Sequence, residues 1–278
     1  MANSLPENYA SFAGGIAEAY AQLLAPILFD PWLNRVRVAA RIAPGDRVLD
    51  VASGPGRFGI RTAQLEPSAR VLCVDASESM ICQALRGCHE TANVKLVRAR
   101  AEQLAVKSTQ FDVVTCLFGL MFFRDRLAAL TDMARALRPG GCLLLTTWAG
   151  LMPNDFAGTI VAALEAQLPK GAQPLSRLPH SMGGTDDLRQ LIIRAGFQRV
   201  NVERLEAQAE ARSVQAAVTA FTLGTPVVLE LMQRGVVDLP TLIRGAVHWI
   251  ESKPGAAGPR HEFRRPSRAL LVQAVTQT

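Results

Sequence analysis

The sharpest chemical signal in the sequence is the run VLDVASGPGRFG, Val48–Gly59. An apolar, strand-like stretch leads into Gly54-x-Gly56-x-x-Gly59 and then into helical sequence. In this arrangement a tight glycine turn lets backbone amides approach a bound ligand. Dinucleotide-binding turns share the glycine spacing, so the spacing alone does not decide the ligand. Asp50 separates the readings: a carboxylate just before the loop engages a cationic amine, directly or through water, and the loop then holds a ligand without a pyrophosphate. A cofactor with a methionine-like end fits better. At the close of the next apolar run, VLCVDAS, Asp75 lies 19 residues beyond Gly56. At that distance an acidic side chain accepts hydrogen bonds from the hydroxyls of a ribose. Asp75 also suits the N-cap of a helix over Ser77–Leu85, and the two roles are compatible.

Four histidines, His89, His180, His248 and His261, are the side chains that titrate near neutrality when unperturbed. His180 falls between the fifth and sixth expected strands, and His248 stands beside Trp249 in helical sequence, so these two are the candidates for a general base. The plainer reading of each is a surface or packing histidine, since neither sits in a motif. His89 and His261 carry less weight. No HExxH, Cys/His cluster, EF-hand loop or GxSxG elbow occurs, which argues against a metal site and against a serine nucleophile. The cysteines, Cys73, Cys82, Cys88, Cys116 and Cys142, are odd in number and form no CxxC pair, so they read as buried free thiols.

These residues need a scaffold, and the 278-residue chain is long enough for one large α/β domain with an appendage. Hydrophobic residues make up 49% and charged residues 19%, which excludes a disordered chain and a charge-rich coiled coil. Helical spacing from Ile16 to Ile42, broken at Pro26 and Asp30-Pro31, predicts two or three short helices with a bend. Strands are expected at Val48–Val51, Val71–Val74, Val94–Val97, Val113–Cys116 and Cys142–Thr147. Helical stretches separate them, implying a parallel sheet with right-handed crossovers. A helix near Asp125–Leu137 should end at the turn Arg138-Pro139-Gly140-Gly141. Beyond it we expect a helix near Asp155–Gln167, a helix over Asp186–Ala195 capped by Thr185, a strand near Gln198–Leu205, helices within 213–252, a turn at Gly255–Pro259 and a last strand at Ala269–Val275.

The formal charge of +6 invites a nucleic-acid partner, but 26 of the 30 basic residues are arginines scattered singly, so nucleic acid is not the expected partner. No apolar run approaches the roughly 18 residues of a membrane span. No basic, apolar and small-residue succession marks a secretory signal either, and the expected location is the cytoplasm. The sequence does not set the oligomeric state.

VLDVASGPG, VLCVDAS, ARAEQL, FDVVTCLFGLMFF, ALRPGGCLLLTTW and AGFQRVNV follow the order and spacing of class I S-adenosylmethionine-dependent methyltransferases. The chain resembles in particular the subgroup of ubiquinone and menaquinone biosynthesis enzymes and small-molecule tailoring methyltransferases, from about Arg41 to Val202. The resemblance implies a Rossmann-like α/β fold: a seven-stranded, mostly parallel sheet of order 3-2-1-4-5-7-6 whose last strand is antiparallel. Residues 1–43 would form a helical cap, and 44–278 the methyltransferase domain, with acceptor-covering insertions at about 150–182 and 213–252. The cofactor would be S-adenosylmethionine, the product S-adenosylhomocysteine, and the acceptor a small, partly apolar organic molecule. Position by position, Asp50, Ala52, Gly54 and Gly56 would surround the amino acid end of the cofactor. Asp75 would hold the ribose, with Ala76 and Met80 flanking the adenine and Ala101 offering it a backbone amide. Leu117 and Phe118 would lie along the methionine part, and Tyr20 would cap the cofactor.

One position departs from the family pattern. Where the family usually carries Asp before the Ala-Glu pair, this chain has Arg100, and a guanidinium offers only donors to the adenine amino group. Glu102 is then the substitute acceptor, or stacking and the Ala101 amide hold the base alone; the lost bond is worth about 0.5–1.5 kcal/mol. The alternatives are an RNA or protein methyltransferase, a non-catalytic protein on the same fold, and a nicotinamide-dependent oxidoreductase. Asp50 and the RPGG pattern argue against the last.

Overall fold

The computed structural model describes residues 15–89, 91–255 and 262–277. Residues 1–14 of the expected cap, residues 256–259 of the expected turn, and His261 lie outside the described residues. The strands β1 (Arg47–Val51), β2 (Arg70–Asp75), β3 (Val94–Arg98), β4 (Phe111–Leu117), β5 (Leu137–Trp148), β6 (Gln198–Ala211) and β7 (Phe263–Val275) form one sheet of order β3-β2-β1-β4-β5-β7-β6. The first five pair in parallel, and β7 runs antiparallel to β5. This is the sheet the resemblance implies.

The chain divides into two compact units. The sheet unit comprises Trp32–Gly150, Leu178–Leu205 and Ala269–Thr278; the described residues of the helical unit fall within Met1–Pro31, Leu151–Arg177 and Glu206–Arg268. In the sheet unit the central strands β1, β2 and β4 are near-continuous apolar runs, as parallel strands covered on both faces must be, while the outer strands β3 and β6 are largely exposed. Val48, Val71, Val113, Leu144 and Leu271 come from five strands and pack with Phe58 and Ala63 of the helix Arg57–Leu65 and with Val36 and Ala40. Each buried Val, Leu or Phe stabilises the fold by about 1.5–3 kcal/mol relative to exposure.

Two local expectations need correction. The helix Thr185–Arg194 is N-capped by Gly184 without a side-chain bond, so Thr185 is its first residue and not its cap. The Arg138–Gly141 segment is a bulge inside β5 and does not precede it: Leu137 pairs with Phe111, and pairing resumes only at Cys142 with Val113. Pro139 has no amide hydrogen to give a ladder and Gly140 takes φ 72°, so the extra residues loop out without ending the strand.

The helical unit begins with the helix Gly15–Ala19, a π-helical turn over Tyr20–Leu24, and the helix Ala25–Leu28. Pro26 lacks the amide that would continue the regular ladder, which accounts for the wider turn just before it. The helices Phe156–Glu165, Val214–Gly224, Val227–Gln233 and Leu239–Glu251 follow, two of them capped by side chains. Ser213 accepts the Ala216 amide at 3.0 Å and Asp238 accepts the Thr241 amide at 2.9 Å. No single described helix is long and apolar enough to cross a membrane. The bent pair Val214–Gly224 and Val227–Gln233 has the combined length and composition, but its apolar residues Ala217, Val218, Ala220 and Leu231 are buried in the protein.

Candidate cofactor site at the sheet switch point

The strand order reverses between β1 and β4, and in open α/β sheets the crevice beyond the carboxyl ends of such neighbours is where ligands bind. Both chains leave their strands there in left-handed backbone. After β1, Ala52, Gly54 and Gly56 take φ of 54°, 56° and 72°; after β4, Phe118 takes φ 55°. Two non-glycine residues in this sparsely populated region, Ala52 and Phe118, mark backbone held in place by its surroundings.

What holds the first loop is Asp75. Its Oδ2 accepts the Gly54 amide and its Oδ1 the Ser77 amide, both at 2.8 Å. The Ser53 amide adds a bond to the Val74 carbonyl at 3.0 Å. Burial raises the Asp75 pKa, and the amides of Ser77 and Gly54 work against that rise. Each carboxylate oxygen still has a second lone pair, so Asp75 can organise the loop and accept from a ligand hydroxyl at once. The N-cap role considered for Asp75 belongs to Ser77, whose Oγ accepts the Met80 amide at 3.3 Å. Gly59 is the packing glycine of the motif: a Cβ there would lie 2.3 Å from the Cys73 Sγ on β2.

Asp50 is buried, at 2% exposure. It is in register with Thr115 of β4, whose hydroxyl donates to Asp50 Oδ1 at 2.6 Å. Burial pushes the Asp50 carboxyl up to about 7, against the Thr115 hydrogen bond. The Ser53 Oγ is buried and finds no hydrogen-bond partner among the described residues. Burial likewise pushes up the thiols of Cys73 and Cys116, and all five cysteines are free. The expected burial holds only for Cys73 and Cys116: Cys88 and Cys142 are half-buried and Cys82 is exposed.

At the end of β3 the Ala99 amide donates to the Asp75 carbonyl at 3.0 Å, which sets segment 99–102 beside the end of β2. Ala101 and Met80 are buried and Ala76 is exposed. Glu102 is engaged by donors: its Oε1 accepts the Arg124 amide at 3.1 Å, and its Oε2 lies 3.5 Å from the Arg100 Nε.

Leu117 closes β4, and the Phe118 amide donates to the Thr146 carbonyl at 3.0 Å and to its hydroxyl at 3.1 Å. The Phe118 ring stacks on Trp148 of β5, with centroids 4.0 Å apart and planes inclined by 24°. Trp32 meets both edge-on at 5.9 and 6.3 Å, and the His180 ring lies 6.2 Å from Trp148. Sequence reasoning missed Trp32. Its indole is buried at 1% in the helix Asp30–Ala40, and helical spacing alone marks such a residue only as core. The structure therefore brings Asp50, Ala52, Gly54, Gly56, Asp75, Leu117 and Phe118 to the carboxyl ends of the central strands β1, β2 and β4, and His180 to the aromatic cluster. Tyr20 belongs to the helical unit, where its ring is 5.0 Å from Phe29. His248 belongs to the same unit and is exposed on the helix Leu239–Glu251.

Residues 48–141 match the methyltransferase domain family. Over 180 residues the chain is 31% identical to the ubiquinone/menaquinone biosynthesis C-methyltransferase UbiE of Pasteurella multocida, covering 60% of this chain and 67% of that protein. Over 223 residues it is 30% identical to the demethylmenaquinone methyltransferase of Staphylococcus aureus, covering 75% and 89%. The chain belongs to the class I S-adenosylmethionine-dependent methyltransferases. A likeness of fold extends to phosphoethanolamine N-methyltransferase 2 of Haemonchus contortus in complex with S-adenosyl-L-methionine. That match has a TM-score of 0.58 at 18% identity and covers 94% of this chain and 57% of that one.

Membership of this methyltransferase family makes S-adenosylmethionine the methyl donor and S-adenosylhomocysteine the product. The residues present fit that cofactor. Asp75 keeps free acceptor capacity for ribose hydroxyls, and Asp50, buried on β1 beside the Gly59 backbone, adds a second carboxylate at this end of the sheet. The left-handed turn at Ala52–Gly56 brings backbone close to whatever lies beyond β1.

Proposed function

We propose that this methyltransferase acts on a small, partly apolar, ring-bearing organic acceptor of the quinol type. The observation that carries the reading is the stacked pair Phe118–Trp148 at the carboxyl ends of adjacent strands β4 and β5. In this reading the pair forms one apolar wall of the acceptor site, next to the residues assigned to the cofactor, because aromatic rings favour planar, apolar partners. The relatives named as menaquinone and ubiquinone C-methyltransferases support the same class.

In this reading Asp50, Ala52, Gly54 and Gly56 surround the amino acid end of the cofactor and Asp75 holds its ribose. Ala76, Met80, the Ala101 amide and Glu102 line the adenine, Leu117 and Phe118 follow the methionine part, and Tyr20 caps it. Bound S-adenosylmethionine supplies an electrophilic methyl on a sulfonium. The methyl moves to the acceptor, the sulfonium becomes a thioether, and an acceptor carbon that gains a methyl releases one proton. The protein's part is to hold the acceptor at near-attack distance and to keep water out, which supplies much of the rate in an in-line displacement. In this reading His180, whose ring lies 6.2 Å from Trp148, takes the released proton, and His248, exposed on its helix, is the weaker candidate. The segments 1–43, 150–182 and 213–252 supply the cover and acceptor specificity, and the protein works in the cytoplasm.

Calorimetric titration with S-adenosylmethionine and S-adenosylhomocysteine, with NAD and NADP as controls, tests the cofactor half. Incubation with demethylated quinols and with phosphoethanolamine, monitored for S-adenosylhomocysteine and for acceptor mass, tests the other half. Turnover of the quinol alone is expected; turnover of the amine alone overturns the acceptor class.

A further inference from the structure

Gly119, directly after Phe118, has a backbone that any residue adopts, with φ −103° and ψ −37°. Conformation therefore gives no reason for glycine here. Space does: a Cβ at 119 would lie 2.6 Å from the Ala52 Cβ and 3.2 Å from the Cys116 Sγ. Ala52 presents the reverse case, an alanine with φ 54° in backbone that favours glycine. At the switch point the Gly119 backbone, after β4, thus comes close to the Ala52 methyl, after β1.

We propose that Gly119 is a positioning residue that sets the width of the crevice at the amino acid end of the cofactor, acting through Ala52 and Phe118. The inference rests on the cofactor placement proposed above. Ordinary carbon contacts sit near 3.5–4.0 Å, so a methyl at 119 drives the two loops apart by about 1 Å. That movement displaces Ala52 and Phe118 and pulls on the Gly54 amide, but Met80 and Ala101 hang from the helix Glu78–Gly87 and the end of β3, and Asp75 stays anchored in β2 with its second oxygen on the Ser77 amide. The damage should therefore be confined to one end of the ligand.

The test compares S-adenosylhomocysteine with 5′-methylthioadenosine, which lacks the amino acid end, in calorimetric titrations of wild type, Gly119→Ala, Ala52→Gly and the swap Ala52→Gly/Gly119→Ala. Gly119→Ala is expected to weaken S-adenosylhomocysteine about tenfold, as overpacking of this size does, while methylthioadenosine stays within about twofold. The swap removes the obstructing methyl and restores a residue suited to φ 54°, so it should return S-adenosylhomocysteine affinity to within about threefold of wild type. Wild-type affinity in Gly119→Ala, a parallel loss of both ligands, or a swap no better than Gly119→Ala would each overturn the proposal. Should Gly119→Ala not fold, a folded swap with near wild-type affinity supports the contact and an unfolded swap overturns it. A wild type that binds neither ligand fails at the cofactor placement itself, an outcome distinct from these and fatal to both readings.

Discussion

The sheet unit and the helical unit hold their functional segments by different means. In the sheet unit the loops after β1 and β4 take left-handed backbone and are tied without ion pairing in the bonds named: Asp75 accepts two amides, and the Phe118 amide donates to the Thr146 carbonyl and hydroxyl. In the helical unit the loops are tied by ion pairs and by side chains reaching distant backbone. Arg268 joins Asp155 and Glu206. Glu230 receives the Ser176 amide at 3.0 Å and pairs with Arg234, which donates to the Pro174 carbonyl at 2.9 Å. Glu165 receives the Leu175 amide at 2.7 Å and pairs with Arg177. The ties named at β1 and β4 join a carboxylate or a threonine to amides, whereas each carboxylate named in the helical unit is also paired with an arginine. The unit proposed to hold the unvarying cofactor uses the first kind, and the unit proposed to read the acceptor uses the second.

If this contrast is right, the largest loss from one substitution in the sheet unit comes from the one side chain its backbone ties depend on. Asp75→Ala strands the Gly54 and Ser77 amides and removes the ribose acceptor. Hydrogen bonds to charged groups are worth about 1.5–3 kcal/mol each, so S-adenosylhomocysteine affinity should fall at least about a hundredfold in calorimetry. Unchanged affinity would remove Asp75 from the site. In the helical unit the corresponding change is Arg268→Ala, which leaves the buried Asp155 carboxylate facing Glu206 without its cation. A loss of about 3 kcal/mol is expected in denaturant unfolding, and a double variant that also carries Asp155→Asn should regain part of it. An Arg268→Ala protein as stable as wild type would break the comparison.

Asp50 sharpens it through pH. Its folded-state pKa, about 7, lies above the unfolded-state value near 4, so its contribution is complete below about pH 4 and lost as the pH rises through about 7. Asp50→Asn keeps the shape and cannot ionise. Its melting temperature relative to wild type should therefore be higher at pH 8 than at pH 5; equal differences at the two pH values would show that burial does not disfavour the Asp50 carboxylate.

The same contrast governs what could be read from sequence. The first four strands, the glycine turn and Asp75 are local patterns that appear within a few residues of where periodicity puts them, whereas β5 starts five residues early and β6 and β7 each run six residues beyond the expected bounds. The Asp50–Thr115 bond joins residues in register on adjacent parallel strands, so it follows once the strand order is known. The N-cap needed finer discrimination, since Asp75 and Ser77 both suit a helix start and only the geometry assigns Ser77. Arg268–Asp155–Glu206 and the place of Trp32 among Phe118 and Trp148 join residues far apart in the chain, and no local spacing encodes such meetings. The bulge at Arg138–Gly141 misled because proline and glycine signal a turn equally well between elements and inside one.

The smallest effect expected is at Arg100, and it tests the adenine end of the site. Arg100 is half-exposed, and its pairing with Glu102 at 3.5 Å contributes little on its own, as exposed ion pairs do. Its effect lies in polarity: the guanidinium and the Arg124 amide both direct donors at Glu102, leaving that carboxylate less able to accept from an adenine amino group. Arg100→Asp supplies an acceptor and should tighten S-adenosylhomocysteine by about 0.5–1.5 kcal/mol, roughly twofold to tenfold. It also places a second carboxylate beside Glu102, so Arg100→Asn is the cleaner companion, offering an acceptor without charge. S-inosylhomocysteine reports the same position with opposite sign, because its 6-oxo group accepts where adenine donates. Wild type should therefore discriminate less between the two bases than Arg100→Asp does. If both variants bind S-adenosylhomocysteine more weakly than wild type and the discrimination does not change, the adenine edge does not face residue 100, and Glu102 with the Ala101 amide must hold the base unaided.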